Sequence, residues 1–429
     1  MFLLVFLLGL LVGWMHAAHA ATHVLAACTP AELIAKHAAA SSGDTLKFPT
    51  CVNAGWGQRV DITKNVTLEG NGMTGTTYNT HLRQLTANGD GPMIRFNCAG
   101  SASVNPVVDG IRFEGRIQGD EQHTDIGVHL NNCVNFQVKN TLFHHFGIGL
   151  SVTGNPTVMK GVIYNNTFRH NARYTTALGY GIEVRGDGTW PTLTLGTLTN
   201  TFIEDNEFEA NRHSVESTGG SRYVVRYNRF TKGRINSSTI DAHGPNQSSY
   251  FNGSRQWEIY HNSLDNTGSL DCTNDTCFAG IGLRGGDGTI FNNVIDNNGS
   301  REIVFWVEDD SKITNAAYRG CTCTPYPCRS QWTNVVNQTT EAHIWGNSPD
   351  NDLFFKGDPG SCHRTLLQEG RDYELFARPG YALTAIGGEF PPGKARVYPL
   401  DATYPHPLRT DPPSVPPGPP QLVTITPGP

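Results

Sequence analysis

Apolar positions recur along this chain in short, interrupted runs. Five segments share one order: apolar, two variable residues, Asn, one variable residue, apolar. They are Ile163…Asn166…Phe168, Ile203…Asn206…Phe208, Val225…Asn228…Phe230, Ile259…Asn262…Leu264 and Ile290…Asn293…Ile295. The asparagines stand 40, 22, 34 and 31 positions apart, as a core period near the shortest spacing would if loops lengthened it. A second strand family alternates with the first: Gly147–Leu150, Gly181–Arg185, His213–Glu216, Thr239–His243 and Gly280–Arg284. Two short strands per repeat, each followed by a turn, predict a β-solenoid whose coils bury their inward residues against each other. A stacked Asn at a turn can tie its amide to the coils above and below. These asparagines therefore read as ladder residues, not catalysts.

The pattern resembles the right-handed parallel β-helix proteins of the pectate-lyase-like superfamily, over roughly residues 40 to 310. That resemblance implies an all-β solenoid and, with the long groove a solenoid offers, an extended polysaccharide as substrate. No complete catalytic signature of one enzyme family is present.

The ends differ from the middle. Phe2 to Trp14 form an apolar run too short to span a bilayer comfortably, and Ala18-His19-Ala20 follows with the small-x-small order of a cleavage site. Residues 1–20 read as a signal peptide, so export to the extracellular space or periplasm is expected, with no membrane attachment after its removal. Thr29-Pro30-Ala31-Glu32 opens a short helix over 30–40, suited to cover the first coil. Together with that cap, residues 21–310 make the β-helix. Residues 311–397 read as a loop-rich, disulfide-tied extension, and 398–429 as an extended or disordered Pro-rich tail.

Composition narrows the partners. Charged residues are only 16% of the chain and the net charge is −6, so no basic excess attracts nucleic acid. A monomer is expected. Ten cysteines in an exported chain predict disulfides. Cys28–Cys51, Cys98–Cys133 and Cys272–Cys277 are the local pairings. Cys321, Cys323, Cys328 and Cys362 form a cluster of open pairing, with zinc as the rival reading.

Alternation sorts the second strand family into inward and outward residues. Ile148/Leu150, Ile182/Val184, Val215, Ile240/Ala242 and Ile281/Leu283 point inward. Outward, one row runs Gly149, Glu183, Ser214, Asp241, Gly282, and another runs Ser151, Arg185, Glu216, His243, Arg284. The glycines leave room for a ligand. Rungs stack at about 4.8 Å, so Glu183, Arg185, Glu216, Asp241, His243 and Arg284 should share one patch. The first strand family adds the outward row Tyr164, Glu204, Arg226, Tyr260 and Phe291, in which the rings suit either sugar stacking or a structural ladder. An ion-pair network is the bland alternative for the charged patch. His213 is ambiguous: alternation turns it inward, but it begins its strand.

Two chemistries suit such a patch. β-Elimination on a uronic-acid polymer needs a group that neutralises the sugar carboxylate, a base and an acid. Arg185, Arg226 and Arg284 are candidates for carboxylate binding or base, and His243 is the other base or acid, with Asp241 beside it to orient it. Tyr164 and Tyr260 would line the substrate. Glu183, Glu216 and Asp241 could hold Ca²⁺ through oxygen ligands. Hydrolysis by inversion, with two of those carboxyls, is the alternative. An epimerase and a non-catalytic adhesion solenoid complete the set.

Overall fold

The computed structural model describes residues 20–411, apart from 87–88, 90, 99–104, 117–122, 172–177, 233–236, 246–250, 267–278, 297–300, 349–352 and 377–402. Three parallel sheets of 12, 9 and 10 strands, here A, B and C, wind through the molecule as a right-handed parallel β-helix. Each coil contributes one strand to A, then B, then C, as in Lys160–Tyr164, Thr167–Arg169 and Tyr180–Gly186. There are thus three strands per coil where two were expected. The Asn motif spans two of them: its first apolar residue lies in sheet A, its last in sheet B, and the Asn turns the corner. The bend is made by the residue before each Asn. Asn165, Asp205, Tyr227, His261 and Asn292 all have φ between 52° and 56°, the left-handed region that turns a chain sharply.

The asparagines form the predicted ladder. Each side-chain amide of Asn166, Asn206, Asn228, Asn262 and Asn293 donates to the Oδ1 of the next, over 2.9–3.0 Å. Each also donates to a carbonyl of the coil behind, as Asn206 does to Ile163 at 2.8 Å. Buried corner groups are thereby satisfied coil after coil. Inside, Phe113, Phe143, Phe168, Phe208 and Phe230 stack with ring centroids 4.7–5.4 Å apart. Truncating one such ring would cost about 3–5 kcal/mol.

Helix Pro30–Ala39 is capped by Thr29, whose side chain accepts from the Glu32 amide, and it buries Leu33 against the first coil. The coils do not stop at 310. Strands Ala342–Trp345 and Tyr373–Phe376 carry sheet A on, Leu353–Phe355 carries sheet C on, a single bridge from Val294 to Ser348 follows the last strand of sheet B, and the ladder reaches Asn347. An insertion stretches that last ladder step to 54 residues, which hid the repeat in the sequence. Cys28–Cys51 and Cys98–Cys133 are bonded as expected, and the cluster pairs as Cys321–Cys362 and Cys323–Cys328. Cys272 and Cys277, and the leader up to His19, lie outside the described residues. No helix of the described residues is long and apolar enough to cross a membrane.

The Pro-rich tail takes part in the fold. Residues 403–411 lie over the outer face of sheet A. Arg409 there reaches Glu204 and Asp205, Tyr404 donates to Asp205 at 2.8 Å, and Lys139 donates to Asp411 at 2.9 Å.

Candidate functional site

Sheet C carries the charged patch, and the register redraws its rows. Ser151, Glu183, Glu216, Asp241 and Gly282 are direct cross-strand partners. Glu216 therefore stands in the same column as the other two acids, not beside Arg185. The expected rows were offset because they matched Gly149 to Glu183, two residues out of step, and because they placed Ser214 where Glu216 belongs. Arg185 pairs instead with Thr153 and Thr218. His243 and Arg284 extend that second row, held by their amides to Ser217 and Ala242. The column continues below Ser151 through His129, Arg95 and Asp61, so one polar track runs down this sheet.

Three carboxylates on successive rungs stand about 4.8 Å apart at the backbone. They are nearly desolvated, at 4% exposure for Glu183, 3% for Glu216 and 1% for Asp241. Each is treated differently by its surroundings. Glu183 accepts a 2.6 Å hydrogen bond from Ser151 Oγ. Asp241 accepts two from Arg284, from Nε at 3.2 Å and Nη2 at 2.5 Å. Burial works to raise the Asp241 carboxyl, but the Arg284 guanidinium above all holds it well below the ordinary range. Glu216 makes no ion pair among the described residues, though the charges of Arg284 and Arg185 act on it, and its Oε2 is buried without a hydrogen-bond partner. Burial, then the charges of Glu183 and Asp241, push its carboxyl well above the usual value.

The acid–histidine pair is also redrawn. Asp241 faces His213, whose Nε2 lies 3.7 Å from Oδ2, while His243 Nδ1 lies 3.6 Å from Glu308. His213 Nδ1 is 2.6 Å from the Ser238 carbonyl, which can only accept, so Nδ1 carries the proton and Nε2 presents a lone pair toward Asp241. Burial, then Arg212, hold the His213 imidazole down to about 3, so it is neutral in ordinary buffers. At the start of its strand this side chain escapes the alternation that would have sent it inward.

These groups open onto a cleft lined by Arg212, His213, Asp241, Arg284, Trp306 and Lys356, among others. Its far wall comes from residues that sequence patterning did not single out. Glu308 accepts from Arg284 Nη1 at 3.0 Å, Trp306 lies under the Arg284 guanidinium at 5.4 Å, and Lys356 pairs with Asp309 at 2.7 Å. They follow the last recognisable repeat, where no register could be drawn. The expected ligand space at Gly282 is taken: a side chain there would run into Ser238 and Trp306.

The other row does not join this site. Tyr164, Glu204, Arg226, Tyr260 and Phe291 are aligned as predicted, but on sheet A and sealed under 403–411. Arg226 is fully buried, donating to Glu204 Oε2 at 2.8 Å, the Tyr260 hydroxyl at 3.0 Å and the Thr403 carbonyl at 3.0 Å. Tyr260, Phe291 and Trp345 stack face to face at 4.6 and 4.3 Å, a structural ladder. Tyr164 is covered by Arg409, 4.4 Å from its ring. A substrate cannot reach Arg226, Tyr164 or Tyr260 while that segment is in place.

No family model matches this chain, and no curated protein does. Solved structures do resemble it. An alginate lyase from Paenibacillus sp. str. FPU-7 is 15% identical with TM-score 0.40, over 78% of this chain and 98% of its own. A mannuronic acid specific polysaccharide family 6 lyase from human gut microbiota is 13% identical with TM-score 0.45, over 76% and 74%. Pectin methylesterase PemA from Erwinia chrysanthemi is 10% identical with TM-score 0.36, over 84% and 93%. At such identities the likeness is one of fold. The class defined so far is a parallel β-helix with a desolvated acid column beside a neutral histidine.

Proposed function

We propose that this protein is an exported polysaccharide lyase that cleaves a uronic-acid-containing polymer by β-elimination on the outer face of sheet C. The observation that carries the reading is His213: a neutral imidazole with its Nε2 lone pair at a cleft, backed by Asp241 across 3.7 Å. In the reaction His213 takes the C5 proton and the C4–O bond breaks. A double bond forms between C4 and C5, and the departing oxygen is protonated. Asp241 stabilises the imidazolium that results, and Arg284 holds Asp241 ionised for that purpose. Glu216, one rung away with its carboxyl raised well above the ordinary range, is the acid suited to protonate the leaving oxygen. Arg212 and Lys356, on the cleft wall, are placed to receive the uronate carboxylate. Arg284 itself is a poor base: burial lowers its affinity for the proton, but Asp241 and Glu308 more than restore it.

A Ca²⁺ ion fits only part of the acid set. Glu183 and Glu216 would hold it, the latter through its unpartnered oxygen, whereas both oxygens of Asp241 are engaged by Arg284. Such an ion would neutralise the sugar carboxylate when bound. Four disulfides among the described residues suit an oxidising compartment outside the cytosol.

One observation favours hydrolysis as a second reading. Glu183 and Asp241 are two rungs apart, about 9–10 Å at the backbone, near the separation of inverting glycosidases. A screen of purified protein against pectin, alginate, glycosaminoglycans and neutral polysaccharides decides between them. Elimination yields ultraviolet-absorbing unsaturated ends, and hydrolysis yields reducing ends without that absorbance. Retention of polymer with no cleavage would refute both and leave a binding solenoid.

A further inference from the structure

Sheet B presents a second cluster, remote in role from the acid column. His144 ends the strand Leu142–His144, His145 follows at the corner, and His170 occupies the next coil's corner. His145 and His170 both have positive φ, 64° and 53°. The same corner in the next two coils is made by Ala210 and Lys232, each at φ 54°. A β-carbon-bearing imidazole accepts the left-handed backbone less readily than Gly or Asn. The turn alone therefore does not call for histidine twice in succession.

The reversal at His145 brings its ring onto that of His144, with centroids 3.6 Å apart, and His170 lies 5.6 and 5.8 Å from the two. The Nδ1 atoms of His144 and His145 are both buried without a hydrogen-bond partner. Burial and then the neighbouring imidazoles keep His144 neutral, at about 3. Two buried ring nitrogens left unsatisfied are costly unless something uses them.

We propose that His144, His145 and His170 form a binding site for a borderline divalent transition ion, of the Zn²⁺, Ni²⁺ or Cu²⁺ class. Imidazole nitrogens bind such ions at about 2.0–2.1 Å, which puts each ring centroid roughly 3.2 Å from the metal. Two rings on one tetrahedral ion then stand about 5 Å apart, by the same geometry. His170 is already near that distance from both partners. To match it the stacked pair must open by roughly 1–1.5 Å, and the rings must turn to converge, because their nitrogens do not all lie within 4.8 Å of one another here. Glu114, the cross-strand partner of His144, is occupied by Arg112 at 2.6 Å and His81 at 3.0 Å, so the donor set is nitrogen only. Hard oxygen-seeking ions such as Mg²⁺ and Ca²⁺ should be refused.

Titration of tag-free, full-length protein with Zn²⁺, Ni²⁺ or Cu²⁺ alone, by calorimetry, tests this. For Cu²⁺, electron paramagnetic resonance reads nitrogen coupling directly. One ion per chain should bind in the micromolar range. His170→Asn keeps a residue suited to the corner. It should weaken binding at least tenfold while leaving the metal-free melting temperature nearly unchanged. His363→Ala, at the disulfide-linked Cys321–Cys362 group, should not alter it. Undiminished binding in His170→Asn, binding lost in His363→Ala instead, or no binding by the wild type would each overturn the proposal.

Discussion

The outer faces of sheets A and C carry the same ingredients and use them differently. On sheet A, Arg226 and Arg409 are interleaved with Glu204 and Asp205, and the segment 403–411 closes over them. On sheet C, Arg284 ties Asp241 to Glu308, but Glu216 keeps an unpartnered oxygen and His213 turns an unprotonated nitrogen toward a cleft. Buried charge that is paired and covered is architecture. Buried charge left incompletely paired at an opening is the kind that a ligand completes.

The largest effect that could break this comparison belongs to sheet A. Arg226→Ala would leave Glu204 Oε2 without its cation and loosen Tyr260 and Thr403, and should cost about 3–5 kcal/mol in denaturant unfolding. Little loss would mean that the sealed face is not structural. On sheet C the balance reverses. His213→Ala should lower elimination by about 10²–10⁴-fold while moving stability little, as removal of a general base does. Equal activity in the variant would remove His213 from the chemistry.

Smaller effects sharpen the contrast. Glu216 has a raised folded-state pKa, so the folded protein keeps a proton that the unfolded chain releases above its ordinary value of 4.5. Its stabilising contribution is full below that value and is lost as pH rises through the folded pKa. Glu216→Gln should therefore flatten the alkaline side of the stability curve, read as melting temperature against pH. The histidines act on the other limb. His129, His144, His213, His261 and His406 are all depressed, chiefly by burial, to about 4, 3, 3, 4 and 4. The unfolded chain takes up protons below about 6.5 that the folded one refuses, so stability should fall as pH drops from 6.5. A flat melting temperature between pH 7 and 5 would contradict those burials.

The sequence made the architecture readable because a solenoid repeats its physics. Each Asn corner and each alternating strand states the same inward and outward choice. Finer register was less legible. Matching Gly149 to Glu183 cost a slip of two, which alternation cannot detect because it preserves facing. Putting Glu216 with Arg185 hid the three-acid column for the same reason. His213 was left ambiguous because a strand's first residue need not obey the pleat. Trp306, Glu308 and Lys356 belong to coils whose period an insertion obscures. The burial of Arg226, Tyr164 and Tyr260 depends on a segment about 140 to 250 residues further along, and no local pattern reveals such a cover.

The most direct measurement of the central claim is a crystal structure of His213→Ala with a uronate oligosaccharide. Sugar should lie along sheet C, with a carboxylate at Arg212 or Lys356 and a ring carbon facing the vacated position near Asp241. Sugar on sheet B, or on sheet A with residues 403–411 displaced from Arg226, would contradict it.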